Sequence, residues 1–383
     1  MGQRLLITNC RLFDAEDKHT VSILIEDGVI SQVGGIEAEA GCEVLDAEGR
    51  IAAPGFIEVH IQGAGGADVL DGTVDGLEAI STTCARFGVT SFLATTVYNV
   101  NGYNEHLALA ADCTGRDLGG ANLLGIHLEG PFIAANKKGM IQPGCICPAS
   151  MEVLDKILNI TAGKLAMMTI APEVEGSLEI IRRLAASGVV ASFAHSEADY
   201  EQTVTGIAAG ISHATHLFNA MSGIHHRSPG PLVAIFENEN VTAQLIADGV
   251  HIHPSVLKLA FDILGPERIV LITDGMQAMG LPDGRFIYNG VEYESKNGAA
   301  RYKDGTLIGT ALGLSELVKR FIDFTDCGLD IAVKTVTENP AKLLGIEDRK
   351  GSIAVGKDAD LVLLDDNFSV QATIVGGKMV FEK

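Results

Sequence analysis

The sequence contains no tryptophan, and aromatic residues make up only 5% of its 383 residues. This scarcity argues, weakly, against a surface of stacked rings of the kind that holds sugars or nucleic acid bases. Basic residues are also few: the chain has 28 Lys and Arg and 49 Asp and Glu, so its formal net charge is −21. Such a chain repels nucleic acid phosphates and anionic membranes, so any phosphate site must be a local pocket of positive groups.

Long hydrophobic runs are missing as well. No apolar run approaches the roughly 18 residues that a membrane-spanning helix needs. The first residues, MGQRLLITNCRLF, lack the apolar stretch of a secretory signal. The seven cysteines are odd in number and scattered, which favours reduced thiols. We therefore expect a cytoplasmic protein with no nucleic acid or membrane partner.

Both ends of the chain have the alternating apolar and polar pattern of β-strands. The pattern covers LLITNCRLF and SILIEDGVISQVG near the start, and KDADLVLLD and ATIVGGKMVFEK near the end. The residues between these ends have a different character, so the simplest arrangement is one small domain assembled from both termini. We predict a small β-sandwich domain from residues 1–53 and 350–383.

The middle of the chain alternates short apolar runs with segments of helical periodicity, such as 151–160, 177–187 and 254–264. Eight such alternations with apolar strands predict a parallel sheet, and eight strands is the number that closes a barrel. An open, doubly wound sheet is the alternative, but no Asp or Glu stands where those folds recognise a ribose. We predict a (β/α)8 TIM-type barrel over residues 54–349, with a β-hairpin insertion near 280–302. The predicted strands are 56–60, 90–96, 122–128, 165–170, 189–194, 211–217, 242–247 and 268–273.

Ionisable side chains recur at the carboxyl ends of these predicted strands. In a parallel barrel those ends meet at one mouth, where active sites lie. Two histidines, one glutamate and an open position for water form a catalytic zinc-type site, in which the cation activates water and polarises a carbonyl. A free carboxylate must then carry the proton to the leaving nitrogen, and Asp274 is the natural candidate. The residues at the strand ends are His60, Glu129, His195, His216, His251 and Asp274.

The other histidines have simpler interpretations. His127 and His213 fall within predicted strands, which favours the core or a supporting role next to the site. The adjacent pair His225–His226 is typical of a loop. We expect His19, His106 and His253 at the surface.

At these residues the sequence resembles the N-acetylglucosamine-6-phosphate deacetylase family of the amidohydrolase superfamily, nearly from end to end. GIHLEGPF at 125–132 and HLFNAM at 216–221 together are specific to that family. NPAKLLG at 339–345 and KGSIAVGKDADLV at 350–362 mark the superfamily and its small β-domain. Further matches are PGFIEVH at 54–60, KKG at 137–139, RSPG at 227–230, DGVH at 248–251 and LITDGM at 271–276.

The resemblance implies roles for the matching positions. It identifies Glu129, His195 and His216 as metal ligands and Asp274 as the general base and acid. It also implies that the segment beginning at Leu307, Leu307–Thr310, lies where the family closes over the substrate, and that the protein is a homodimer in which Arg227 can serve the neighbouring subunit's site. The guanidinium of an arginine matches the oxygens of a phosphate. The implied phosphate and sugar contacts are Asn219, the backbone of Ala220, Arg227 and His251.

The sequence departs from the family in two places. Members with two metals carry His-x-His after the first strand and members with one metal carry Gln-x-Asn, whereas this chain has His60–Ile61–Gln62. We therefore predict one firmly bound divalent ion, with a weak or absent second site at His60 and Gln62. Zn²⁺ is the expected ion, and Fe²⁺, Mn²⁺ or Co²⁺ are alternatives for the same ligands. The second departure is Ile141, where the family often has a histidine that polarises the substrate carbonyl, and Gln142 is the candidate replacement.

The leading hypothesis is metal-dependent hydrolysis of N-acetylglucosamine 6-phosphate to glucosamine 6-phosphate and acetate, in amino-sugar catabolism or recycling. One alternative is the same chemistry on N-acetylgalactosamine 6-phosphate or another N-acyl amino sugar. A wider alternative is an amidohydrolase acting on a cyclic amide or an N-acyl amino acid, although HLFNAM and Arg227 speak against substrates without phosphate. A catalytically inactive sugar-phosphate sensor is a third, which the intact site residues disfavour.

Overall fold

The computed structural model describes residues 4–15, 19–36 and 42–383. Within them the strands, in chain order, are β1 (Arg4–Leu12), β2 (Val21–Glu26), β3 (Val29–Gly34), β4 (Glu43–Asp46), β5 (Ile51–Pro54), β6 (Phe56–Ile61), β7 (Gly63–Ala64), β8 (Ala67–Asp68), β9 (Val89–Thr96), β10 (Asn122–Glu129), β11 (Leu165–Ile170), β12 (Val190–Phe193), β13 (Ile211–Ala214), β14 (Thr242–Leu245), β15 (Ile269–Leu271), β16 (Gly284–Tyr288), β17 (Val291–Lys296), β18 (Ala299–Tyr302), β19 (Leu307–Thr310), β20 (Leu361–Leu364), β21 (Val370–Val375) and β22 (Lys378–Glu382).

The α-helices fill the intervals between the strands of the middle region and follow the last of them. They are α1 (Val74–Arg86), α2 (Glu105–Cys113), α3 (Met151–Thr161), α4 (Ser177–Ala186), α5 (Tyr200–Ala209), α6 (Gly230–Glu237), α7 (Pro254–Leu264), α8 (Leu314–Thr325), α9 (Leu329–Lys334) and α10 (Glu338–Leu343).

Eight parallel strands of the middle region form one sheet in the order β6-β9-β10-β11-β12-β13-β14-β15. Each neighbour in this order is also the next long strand in the sequence, and an α-helix lies between every consecutive pair, as in repeated β–α units. All eight predicted strands are confirmed, with ends shifted by at most a few residues. The strands are almost continuously buried, because helices cover one face and the central core covers the other.

Strands from both termini form one mixed β-sheet, which contains antiparallel and parallel pairs, as predicted. The order is β22-β21-β20-β5-β1-β2-β3, with β4 also paired to β1. The first half of β1 pairs with β2 and β4, whereas Arg11 and Leu12 pair with β5. A strand that changes partners across an irregularity passes from one layer to another. The core of this region contains Ile7, Ile23 and Leu361 and is separate from the core of the eight-stranded sheet.

The hairpin predicted near 280–302 is present, but it is part of a larger insertion. Strands β16 and β17 pair with each other, and β18 and β19 extend them to a four-stranded antiparallel sheet. The insertion therefore continues to Thr310. Because β19 pairs through Thr310 with Gly275, just after β15, the insertion lies next to the carboxyl ends of the parallel strands.

Two further expectations are tested directly. The prediction that His106 is at the surface was wrong, since it is only 6% exposed and its Nε2 lies 3.0 Å from the carbonyl oxygen of Val97. Among the described residues, no helix is long and apolar enough to cross a membrane.

Candidate active site

The ionisable residues selected from the sequence meet at the carboxyl ends of the parallel strands. Glu129 is the last residue of β10, and His195, His216 and Asp274 follow β12, β13 and β15 within three residues. His195, His216 and Asp274 have left-handed backbones, with φ of 49°, 32° and 51°. For residues with a Cβ this conformation costs of order 1 kcal/mol or more, and it concentrates at functional sites. The turns that end these strands are therefore strained where they aim side chains into the mouth.

Glu129, His195 and His216 form a cluster with the composition of a metal site. Their ligand atoms all lie within 4.8 Å of one another. Oε1 of Glu129 lies 3.2 Å from Nε2 of His195 and 3.3 Å from Nε2 of His216, and the two ring nitrogens are 3.1 Å apart. All three side chains are buried. The carboxylate and two imidazoles thus converge on a single point.

The hydrogen bond of His195 suits a metal ligand. Its Nδ1 donates to the carbonyl oxygen of Lys137 at 2.7 Å, which leaves a lone pair on Nε2. A divalent cation between the two Nε2 atoms and Oε1 would satisfy three electron-rich atoms that otherwise face one another. The residues present therefore fit the His₂–carboxylate set of a catalytic site with an open position.

His60, Gln62 and Asp274 lie beside this cluster. Nε2 of Gln62 donates to Oδ1 of Asp274 at 3.0 Å and to Oε2 of Glu129 at 3.2 Å, and it is 3.0 Å from Nε2 of His60. Nε2 of His60 is 3.3 Å from Oδ1 of Asp274. An amide nitrogen thus occupies the space between the two carboxylates, while the Oε1 of Gln62 is buried without a hydrogen-bond partner.

Burial and the histidines act in opposite directions on the carboxyl groups. Burial alone raises the pKa of Glu129, but the neighbouring His60, His195 and His216 outweigh it and hold that pKa well below its usual value. Burial likewise raises the pKa of Asp274, but a hydrogen bond from His60 and the nearby histidine charges lower it. Both side chains are therefore carboxylates near neutral pH, one suited to bind a cation and the other to accept a proton.

A cavity of about 240 Å³ opens onto these residues. Eight of the residues proposed from the sequence line it: Glu129, His195, His216, Asn219, Ala220, His251, Asp274 and Leu307. Nδ1 of His251 is 2.6 Å from Oδ2 of Asp248, so its Nε2 is left to face the cavity and lies 3.8 Å from Oδ2 of Asp274. The predicted metal, proton-transfer and sugar-contact residues thus share one space.

Two of the predicted substrate contacts do not line this cavity. The side chain of Gln142 turns back and donates to the carbonyl oxygen of Met140 at 3.1 Å. Its neighbour Ile141 is packed in an apolar cluster with Val97, Ile133 and Cys145. Gln142 therefore does not replace the carbonyl-polarising histidine in this conformation.

Arg227 is also outside the cavity. It is exposed, and one guanidinium nitrogen lies 2.8 Å from Nε2 of His226. Within a single chain it is therefore not a phosphate contact. His60 and Gln62, the residues of the predicted weak second metal site, do not line the cavity either. Both are fully or nearly fully buried beneath it.

Sequence reasoning missed the loop residues Asn136, Lys137, Gly139 and Met140, which also line the cavity. Ile308 lines it too and lies in the segment Leu307–Thr310 that the family resemblance indicated. Lys137 is the one Lys or Arg in this lining among the described residues, and its Nζ donates to the carbonyl oxygen of Met221 at 3.3 Å. The signal that points to it is its place in KKG, combined with the need of a very acidic chain for local positive charge.

The histidines assigned to the core lie there. Both ring nitrogens of His127 have partners, the carbonyl oxygen of Val59 at 3.0 Å and the hydroxyl of Thr169 at 2.9 Å. His213 contacts the hydroxyl of Thr242 at 2.6 Å. Burial lowers the pKa of both, so they are neutral supports beneath the site.

The chain is similar to known proteins over most of its length. The chain matches the amidohydrolase family over residues 51–380. It is 38% identical to an N-acetylglucosamine-6-phosphate deacetylase of Bacillus subtilis (strain 168), covering 93% of this chain and 92% of the relative. It is 34% identical to an N-acetylgalactosamine-6-phosphate deacetylase of Escherichia coli O157:H7, covering 93% of each.

A solved structure from Mycobacterium smegmatis has the same fold. It is a mutant N-acetyl-D-glucosamine-6-phosphate deacetylase in complex with N-acetyl-D-glucosamine-6-phosphate, and it superposes with a TM-score of 0.88 at 31% identity over 99% of each chain. The family match covers most of the chain, and these relatives align almost from end to end. The chain therefore belongs to the amidohydrolase family, among relatives named N-acetylglucosamine-6-phosphate deacetylase.

Proposed function

We propose that this protein hydrolyses the N-acetyl group of N-acetylglucosamine 6-phosphate, giving glucosamine 6-phosphate and acetate. The observation that carries the proposal is the convergence of Glu129, His195 and His216 beside Asp274 in one cavity. The relatives suggest the substrate, because several of them are N-acetylglucosamine-6-phosphate deacetylases. Hydrolysis adds water to the acetyl carbonyl and breaks the bond from that carbon to nitrogen.

We also infer that the eight parallel strands close into a TIM-type barrel, with the terminal strands as a separate small sandwich domain. A parallel bridge between Ile61, at the end of β6, and Gly275, after β15, supports closure. The backbone N–H of Asp274 donates to the carbonyl oxygen of His60 at 3.1 Å, which joins the first and last strands at the mouth. Closure would explain why residues over 200 positions apart in sequence share a site.

Glu129, His195 and His216 would hold one divalent cation, expected to be Zn²⁺. When bound there, such an ion activates a water molecule and polarises the acetyl carbonyl. Asp274 lies next to the cluster as a carboxylate, so it accepts the proton of the attacking water and delivers it to the leaving amine. Asn219, the backbone at Ala220 and Leu307 line the remaining wall, where they can orient the sugar ring.

The metal stoichiometry tests this arrangement. We expect one tightly bound ion per chain, because the amide of Gln62 already bridges Oδ1 of Asp274 and Oε2 of Glu129 and is a poor ligand for a second ion. Elemental analysis of purified protein after dialysis measures the ratio. Two ions per chain that survive dialysis would contradict the prediction.

The phosphate requires positive groups that the acidic chain supplies only locally. Within one chain Lys137 and His251 are the candidates in the cavity lining. We propose that Arg227 of a second copy completes the pocket, since it is exposed here and its guanidinium is suited to phosphate. The arrangement requires a homodimer with the loop of Arg227 at the interface.

An exposed apolar stripe supports this dimer. Val256, Leu259 and Ile263 are spaced for one face of α7 and are between 37% and 53% exposed, and Ile224, near Arg227 in the chain, is 54% exposed. Exposed apolar side chains that share one helix face are typical of interfaces between proteins. The occupant we propose is a second copy of this chain.

Leu259→Glu should convert the dimer to a monomer and lower kcat/KM for the phosphorylated sugar, because the partner's arginine leaves the site. Light scattering after size exclusion measures the mass. Val204→Glu on α5 is the matched control, since Val204 is a similarly exposed apolar residue at 43%. A Leu259→Glu dimer with normal kinetics would count against this interface.

The substrate assignment is tested by turnover of matched compounds. We expect hydrolysis of N-acetylglucosamine 6-phosphate, with kcat/KM reduced by about 10²-fold or more for N-acetylglucosamine, which lacks the charge-assisted phosphate contacts. N-acetylgalactosamine 6-phosphate, a cyclic amide and an N-acyl amino acid are assayed beside it. A preference for any of these three would replace the proposed substrate, and tight binding without turnover would indicate a sensor.

A further inference from the structure

Gln244 is a buried polar residue that neither the sequence motifs nor the comparisons assign to the site. It lies on β14, and none of its surface is exposed. Its Oε1 is 3.2 Å from the backbone nitrogen of His216 and 3.2 Å from Nδ1 of His60. One amide oxygen therefore contacts two histidines of the site, which come from β6 and from the end of β13.

The backbone of His216 determines which way this amide is oriented. An N–H group can only donate, so the atom of Gln244 that faces it must be the oxygen. The same oxygen then faces Nδ1 of His60, and the contact is favourable only if Nδ1 carries a proton. The amide nitrogen is left toward Sδ of Met167, at 3.7 Å, which is a weak acceptor.

The orientation of His60 matters because of what its other nitrogen contacts. Nε2 of His60 lies 3.0 Å from Nε2 of Gln62 and 3.3 Å from Oδ1 of Asp274. Gln62 in turn donates to Oδ1 of Asp274. Gln244 and Asp274, the carboxylate that we assign to proton transfer, therefore contact opposite nitrogens of the same imidazole ring.

We propose that Gln244 is a positioning residue, whose side-chain oxygen accepts from Nδ1–H of His60, fixes the orientation of that ring and thereby keeps its Nε2 beside Asp274. The catalytic consequence rests on the proposed function, whereas the contact with Nδ1 of His60 does not. Supporting partners of this kind typically contribute about 10–100-fold to activity when they orient a site histidine.

The test compares Gln244→Leu, which removes the acceptor at similar volume, with Gln244→Glu, whose carboxylate can still accept from both partners. Met167→Leu is the matched control, since it removes the contact of the amide nitrogen and keeps the oxygen in place. Each variant is prepared as the zinc-loaded protein with ¹⁵N-labelled histidine, and a His60→Ala variant assigns the His60 signals. Ring nitrogen shifts report whether Nδ1 of His60 is protonated, and steady-state kinetics give kcat and KM.

We expect a protonated Nδ1 at His60 in the unmodified protein, in Met167→Leu and in Gln244→Glu, and loss of that signal in Gln244→Leu. With loss of the signal, kcat should fall about 10–100-fold while KM changes little. An unchanged His60 spectrum in Gln244→Leu would overturn the proposal. If the leucine variant does not fold, loss of the Nδ1–H signal in Gln244→Glu would overturn it instead. If none of the proteins hydrolyses the sugar phosphate, the proposed function fails, whereas the spectrum of His60 still tests whether Gln244 orients this ring.

Discussion

Asp274→Asn is expected to lower kcat by about 10²–10⁴-fold and to leave the affinity for substrate nearly unchanged. Asparagine keeps the shape of the side chain and an oxygen that can accept from Gln62, but it cannot take a proton from water or pass one to the leaving amine. Asp274 is held as a carboxylate because His60 and the other histidines lower its pKa against the effect of burial. The substitution therefore removes the proton carrier and keeps the pocket.

Calorimetric titration of the substrate into the variant separates these effects, because slow turnover leaves binding measurable. Asp117→Asn is the control, since Asp117 is an exposed carboxylate near the surface of the terminal sheet, where it contacts Lys378. A normal kcat in Asp274→Asn would rule out proton transfer by Asp274. A large loss of binding instead of turnover would assign Asp274 to substrate recognition.

Glu129→Gln is expected to release the metal and to reduce activity at ambient metal concentrations to background. Glu129 contributes the charge in a cluster whose other members are imidazoles, and its oxygen lies within 3.3 Å of both ring nitrogens. Loss of an outer partner already costs about 10–100-fold in metal affinity, so loss of the ligand itself should exceed that range. Competition with a chelator gives the affinity, and elemental analysis gives the content.

Glu173→Gln provides the comparison for this variant. Glu173 is a carboxylate close to His195 in the fold, because it accepts from Ser196 and Glu197, but it does not belong to the metal cluster. It should keep one ion per chain. Retention of a full complement of metal in Glu129→Gln, with an unchanged thermal unfolding midpoint, would show that the ion is held elsewhere.

Much of the fold follows from local patterns. Strands β6 and β9–β15 were predicted within a few residues because each is an apolar run bounded by turn residues, and the helices between them have a 3.6-residue period. The candidate site could be predicted for a related reason. Parallel strands place their carboxyl ends on one edge, so Glu129, His216 and Asp274 were expected to meet without any knowledge of distances.

The errors fall where the outcome depends on loop paths and on side-chain partners. The loop after β10 buries Ile141 and turns Gln142 away, and it brings Lys137 to the cavity instead. Nothing in the local pattern distinguishes these neighbouring residues, since irregular segments have no period that assigns a face. His106 is a similar case, because its hydrogen bond to the carbonyl oxygen of Val97 compensates for its burial.

The sequence by itself determined the order of strands and helices and the edge at which the polar residues gather, because both depend on periodicity and chain direction. Only the tertiary structure decided that a glutamine on β14 contacts a histidine on β6, and that Arg227 lies outside its own cavity. Such contacts join residues far apart in the chain, and their partners are selected by packing and hydrogen-bond geometry, which no short stretch of sequence contains.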